Sequence, residues 1–125
     1  MIQASDISIK VQTQFLEDHL PQSDAKYAFA YRITITNNSP QQVQLLRRYW
    51  LITDGNGETD QVSGDGVIGQ QPHIDVGQSY QYTSGAILDT PVGTMQGHYE
   101  FIDAQGQVFR APIPVFRLAV SHLVN

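Results

Sequence analysis

The chain has 125 residues, 41% of them hydrophobic and 15% charged, which is the length and apolar content of one domain, residues 1–125, with a core of its own. Twelve acidic against seven basic residues give a net charge of −5, and Arg47-Arg48 is the only adjacent basic pair, so the basic stripe of a nucleic-acid binder is missing. There is no cysteine, which excludes disulfides and thiolate metal sites. No apolar run is long enough to cross a membrane, and the first residues show no signal-peptide pattern, so a cytoplasmic protein is expected.

From the N-terminus the hydrophobic period is two. Ile7, Ile9, Val11 and Phe15 alternate with polar residues across Ile7 to Phe15. Residues 15 to 20 could be helical but are too few to stand alone. From Tyr27 to Thr36 the alternation is complete, with Tyr27, Phe29, Tyr31, Ile33 and Ile35 on one face. This predicts a half-buried strand, ended by Asn37-Asn38-Ser39-Pro40. Val43 to Thr53 is apolar on both faces and belongs in the middle of a sheet, with Trp50, the only tryptophan, in the core. Asp54-Gly55-Asn56-Gly57 closes it as a hairpin. Thr59 to Ser63, Ser79 to Ser84, Gly97 to Asp103 and Gln107 to Leu118 read as further strands, the last two joined across Asp103-Ala104-Gln105-Gly106. Pro112 and Pro114 remove two N–H donors from one side of the last strand and assign it to a sheet edge. Gly97-His98-Tyr99 at a strand start is similar to a tyrosine corner. Seven or eight short antiparallel strands predict an all-β, immunoglobulin-like β-sandwich.

Residues 64 to 97 hold seven of the ten glycines, including a G-x-G-x-x-G at Gly64, Gly66 and Gly69. A dinucleotide fingerprint needs a helix opening at its third glycine. Here Gln70-Gln71-Pro72 follows and Gly77 comes soon after, leaving no room for that helix. No Lys-Ser or Lys-Thr follows, so a P-loop fails too. The glycines are expected to serve backbone turns. A backbone nest for an anion would be opposed by Asp65, Asp60 and Glu58, with no basic side chain in the loop itself. No G-x-S-x-G elbow and no spaced acid–base pair is present, so a catalytic constellation is not expected. His73-x-Asp75 and His98-x-Glu100 each place two ligand types on one strand face. They could form a divalent-metal site only if the two pairs met in space.

Five segments in order resemble the ApaG family. They are Gln44 to Asp54 (QLLRRYWLITD), Gly64 to Pro72 (GDGVIGQQP), Tyr82 to Gly85, Thr90 to Tyr99 (TPVGTMQGHY) and Ile113 to Phe116. The resemblance covers essentially the whole chain. It implies a fibronectin-type-III-like sandwich, no resident cofactor, and the link to cobalt resistance and magnesium efflux carried by bacterial members, some of them also called CorD. It also implies a binding role, since similar domains occur in F-box proteins and in a polymerase delta-interacting protein. The chain departs from the family pattern at His73 to Gly77, where a proline is usual before the glycine, and at Tyr49, where histidine is common. The function expected is a non-catalytic domain that binds an unidentified protein partner, or weakly a second copy of itself. Its contact is expected at the long glycine loop, through Gly64, Asp65, Gly66, Gly69, Gln70 and Gln71.

Overall fold

The computed structural model describes residues 2–17 and 26–120. A 3-10 turn at Ala4–Asp6 precedes eight strands among these residues: β1 (Ile7–Phe15), β2 (Tyr27–Asn37), β3 (Val43–Asp54), β4 (Thr59–Asp65), β5 (His73–Ile74), β6 (Ser79–Leu88), β7 (Val92–Asp103) and β8 (Val108–Ala119). One sheet has the order β1-β2-β6. The other has the order β4-β3-β7-β8, with β5 pairing to the start of β3, and every pairing is antiparallel. The chain is therefore the β-sandwich that its alternation predicts. The expected start at Thr59 holds, while the start at Gly97 and the ends at Ser63 and Ser84 are corrected. β7 begins at Val92, β4 runs on to Asp65, and β6 continues past Ser84 to Leu88. The added residues, with Gly64, Gly85 and Gly93 among them, do not keep a clean alternation of period two, and cross-strand pairing carries the strands through them. Of the candidate helix at 15 to 20, Phe15 ends β1 and residues 18–20 lie outside the described residues.

The core lies between the sheets. Phe29, Ile33, Ile35, Leu45, Met95, Tyr99, Phe101 and Leu118 are almost fully buried. Trp50 sits at its centre as expected, with Tyr31, Phe116 and Tyr99 at ring distances of 5.5, 5.7 and 6.2 Å in edge-on contact. The β8 strand is at a sheet edge, as its prolines require, and its pairing slips by one residue around Pro114-Val115. The tyrosine-corner reading is corrected. Tyr99 lies well inside β7, and its hydroxyl meets that of Tyr82 on the opposite sheet.

Strand β3 is apolar on both sides for a reason periodicity alone does not give. Its register against β7 shifts between Leu45 and Arg47, so Leu46 is an extra, bulged residue. Before the bulge Val43 and Leu45 face the core, and after it Trp50 does. The phase has changed by one residue, which carries Arg48, Trp50 and Ile52 onto the inner side.

Candidate functional site

The bulge at Leu46 is also where the glycine loop is fastened. With its partner strand displaced, the Leu46 carbonyl accepts the Gly66 amide at 2.8 Å and the Gln71 side-chain amide at 3.0 Å. The Leu45 amide donates to the Pro72 carbonyl at 3.0 Å, and Gln44 Nε2 to the Gln71 carbonyl at 3.2 Å. Between these anchors the loop forms a two-residue hairpin. Val67 and Gln70 exchange both backbone hydrogen bonds, at 2.8 and 2.9 Å, and the central residues Ile68 and Gly69 have φ of 49° and 72°. Two positive φ values in such a turn define type I′, which matches the twist of paired strands and favours Asn or Gly at both places.

Ile68 is neither. A β-branched side chain in the left-handed region is a steric outlier, and Ile68 is the one non-glycine residue with positive φ among the described residues. It is also 59% exposed. The turn thus holds a strained apolar side chain out toward solvent at its tip.

Beneath the loop lies Arg48, carried inward by the bulge. Its Nη1 donates to the carbonyls of Asp65 and Gly66 at 3.1 and 2.9 Å, and Arg47 pairs with the Asp65 carboxylate at 3.0 Å on the surface. No basic side chain lies in the loop itself, as its sequence shows, but β3 delivers two arginines to it. The amides of Gly66, Val67 and Gln70 are all committed to protein carbonyls, so they do not form an open anion nest. Beside Arg48 is a cleft of about 180 Å³ lined by Tyr31, Trp50, Tyr82, Ser84 and the residues from Val67 to Gly69. Burial pushes the Tyr31, Tyr82 and Tyr99 hydroxyls above the ordinary tyrosine range, so all three are neutral at physiological pH.

Of the expected contact residues, Asp65, Gly69, Gln70 and Gln71 are exposed along the loop, Gly64 is half-buried against Arg48, and Gly66 is buried. Gln71 acts as a clamp on the bulge. The histidine pairs lie elsewhere, on the outer face of the second sheet. His73 is opposite Gln44 on β3, with Asp75 just beyond β5 accepting a hydrogen bond from Gln42. His98 is opposite Tyr49 and stacks on its ring at 5.2 Å, with Glu100 two residues on. Gln44 and Tyr49 are five residues apart on β3, so the structure does not bring the two pairs together. Among the described residues no three His, Asp or Glu side chains are grouped to hold a metal. Partial burial and Arg110 hold His98 below the ordinary imidazole range, against the opposing pull of Glu100.

Sequence reasoning overlooked Ile68 and Arg48. Their signals were present in Val-Ile placed before Gly69, and in a strand with core residues at Leu45 and Trp50, a spacing of five that no unbroken strand allows.

Comparison with known proteins agrees with this fold. The chain is 52% identical to Protein ApaG of Proteus mirabilis and 53% identical to that of Klebsiella pneumoniae, in both cases over 125 residues and the full length of both proteins. Its structure is similar to a structural-genomics X-ray structure at a TM-score of 0.92 and 43% identity, covering 98% of this chain and 92% of that one. A Bordetella pertussis protein assigned as ApaA matches at a TM-score of 0.88 and 39% identity, covering 92% of this chain and 94% of that one. The model of the ApaG domain matches residues 17–103, which include the bulged strand, the glycine loop and all of β7. With the fold, the loop and the whole-length relatives in agreement, the chain belongs to the ApaG domain family.

Proposed function

We propose that this chain is a non-catalytic protein-binding domain whose contact is the tip of the glycine loop, with Ile68 as its apolar anchor. The observation that carries this reading is the conformation of Ile68. Holding a residue in a sparsely populated backbone region costs on the order of 1–3 kcal/mol, and such outliers gather at binding sites. Asn or Gly would relieve that cost in the same turn, yet the chain keeps an exposed isoleucine on a loop clamped to a rigid strand. A pre-organised apolar tip beside polar side chains matches the anchor-and-rim pattern of protein interfaces. The charged groups around it are engaged in holding the loop, which supports binding without turnover. A cytoplasmic link to cobalt or magnesium homeostasis would then run through the partner.

The test is capture of partners from lysate by the wild type, by Ile68→Asn and by the surface control Val92→Thr, at the end of β7 away from the loop. Ile68→Asn is expected to raise stability by about 1 kcal/mol through relief of strain and to weaken capture at least tenfold. The control should leave both unchanged. Capture that is indifferent to Ile68→Asn would remove the loop reading. A Co²⁺-dependent rise in melting temperature, abolished by His73→Ala or His98→Ala, would replace it with a metal-binding one.

A further inference from the structure

The two sheets do not match in width. Three strands, β1, β2 and β6, face a sheet whose main path has four, β4, β3, β7 and β8. The surplus is at β4, where six of the seven residues are exposed and Gly64 is half-buried, so neither face of the strand is covered. Its inner row is known from pairing. Asp60 is opposite Ile52, Val62 opposite Trp50 and Gly64 opposite Arg48, and directly paired residues share a face. Because Trp50 points into the core, Val62 points the same way, yet it is 37% exposed. The place above it, beside the outer edge of β6, holds no strand among the described residues.

Among the described residues nothing guards that edge. Strand β6, SYQYTSGAIL, is ten residues long, has no charge and no proline, and pairs with β2 without a register break. Exposed edges are ordinarily blunted by charges, prolines or bulges. Such devices appear on β8, with Pro112, Pro114 and its bulge, on β1, with Lys10, and on β4, with Asp60 and Asp65. Among the four terminal strands only β6 has none.

The open place is polarised. One end is a cleft of about 180 Å³ where Asp54, Glu58, Asp60 and Asp89 surround Ile52 and Ile87. Asp89 is paired with Lys26, so Asp54, which also caps its own turn, Glu58 and Asp60 set the charge. The other end is the cleft of Arg48 at the foot of the glycine loop. Nη1 of Arg48 is used on loop carbonyls, and its Nε and Nη2 make no hydrogen bond among the described residues.

We propose that an extended segment of a partner protein occupies this place as a fourth strand added to β6. On alternate residues it would set a basic side chain over Asp60, an apolar one over Val62 and an acidic one beside Arg48. The inner row Asp60, Val62, Gly64 fixes the spacing, since three alternate positions span roughly 14 Å of strand. Backbone pairing with β6 supplies affinity and the three side chains supply selectivity, as in other strand-addition complexes. Ile87, 58% exposed, lies beside the same acidic end.

This inference rests on the reading of the chain as a protein binder but uses a different surface, so either can fail alone. The probe is an acetylated and amidated ten-residue peptide of threonines with Lys, Val and Glu at positions 4, 6 and 8, followed by fluorescence anisotropy and by amide chemical shifts. Binding with shifts and slowed exchange centred on Tyr82 to Ile87 is expected. Asp60→Lys should weaken it at least tenfold, and a second peptide with Glu in place of the Lys should recover it on that variant. Methylating alternate backbone amides of the peptide on the β6 side should abolish binding. Three results would overturn the proposal: no binding at millimolar peptide, binding insensitive to the charge exchange, or β6-mediated dimerisation of the free chain. The first would leave the Ile68 capture experiment standing, and loss of the Ile68 effect would leave this one standing.

Discussion

Glycines 64, 66 and 69 share one motif but not one role. At Gly66 φ is +63°, and an added Cβ would lie 2.2 Å from the Gln70 carbonyl oxygen, a contact that cannot be relieved without opening the turn. At Gly69 φ is +72° with open space around it, so only backbone strain opposes a side chain. At Gly64 the nearest atoms belong to the flexible Arg48 guanidinium, at 3.1 Å and beyond. Gly69→Ala is expected to cost about 1–2 kcal/mol, the penalty for a left-handed L-residue. Gly66→Ala should cost more than Gly69→Ala, and Gly64→Ala less. Urea melts of the three variants would check the order, and a different ranking would mean that the loop is held otherwise. Trp50→Ala, which empties the aromatic centre of the core, should cost about 3–5 kcal/mol.

At the scale of elements, Tyr82 on β6 and Tyr99 on β7 join the sheets through their buried hydroxyls. Removing one leaves the other without that partner, so Tyr82→Phe should destabilise by about 1–3 kcal/mol, while the double change to Phe should recover much of the loss. The same pair sets an alkaline limit. Burial is the largest cause that raises both hydroxyls, so in the folded chain they keep their protons while unfolded tyrosines ionise near pH 10. Their stabilising contribution is complete below that value and is lost as pH rises above it. Thermal melts between pH 9 and 11 should fall steeply for the wild type and less steeply for the double Phe variant. The bulge in β3 is the other decisive element. It reverses which face of the strand is inside, frees the Leu46 carbonyl and turns Arg48 under the loop.

For the whole molecule, pairing is dominated by strands far apart in sequence, such as β2 with β6 and β3 with β7. Loop-closure entropy must be spent before those pairings form, so refolding is expected in milliseconds to seconds. Stopped-flow fluorescence can follow it, since Trp50 is the only tryptophan. Microsecond refolding would contradict this topology. The sequence by itself determined the all-β class, the core face of β2, the buried Trp50 and the edge position of the proline strand. Each of these follows from a period of two or from a missing N–H, which are local properties of the chain. The resemblance of five ordered segments also pointed correctly to the ApaG family. The tertiary structure alone decided that Leu46 is bulged, that Arg47 and Arg48 support the glycine loop, that Tyr99 meets Tyr82, and that the two histidine pairs stand apart. These depend on cross-strand register, and a one-residue slip in register exchanges the two faces of a strand without changing its composition.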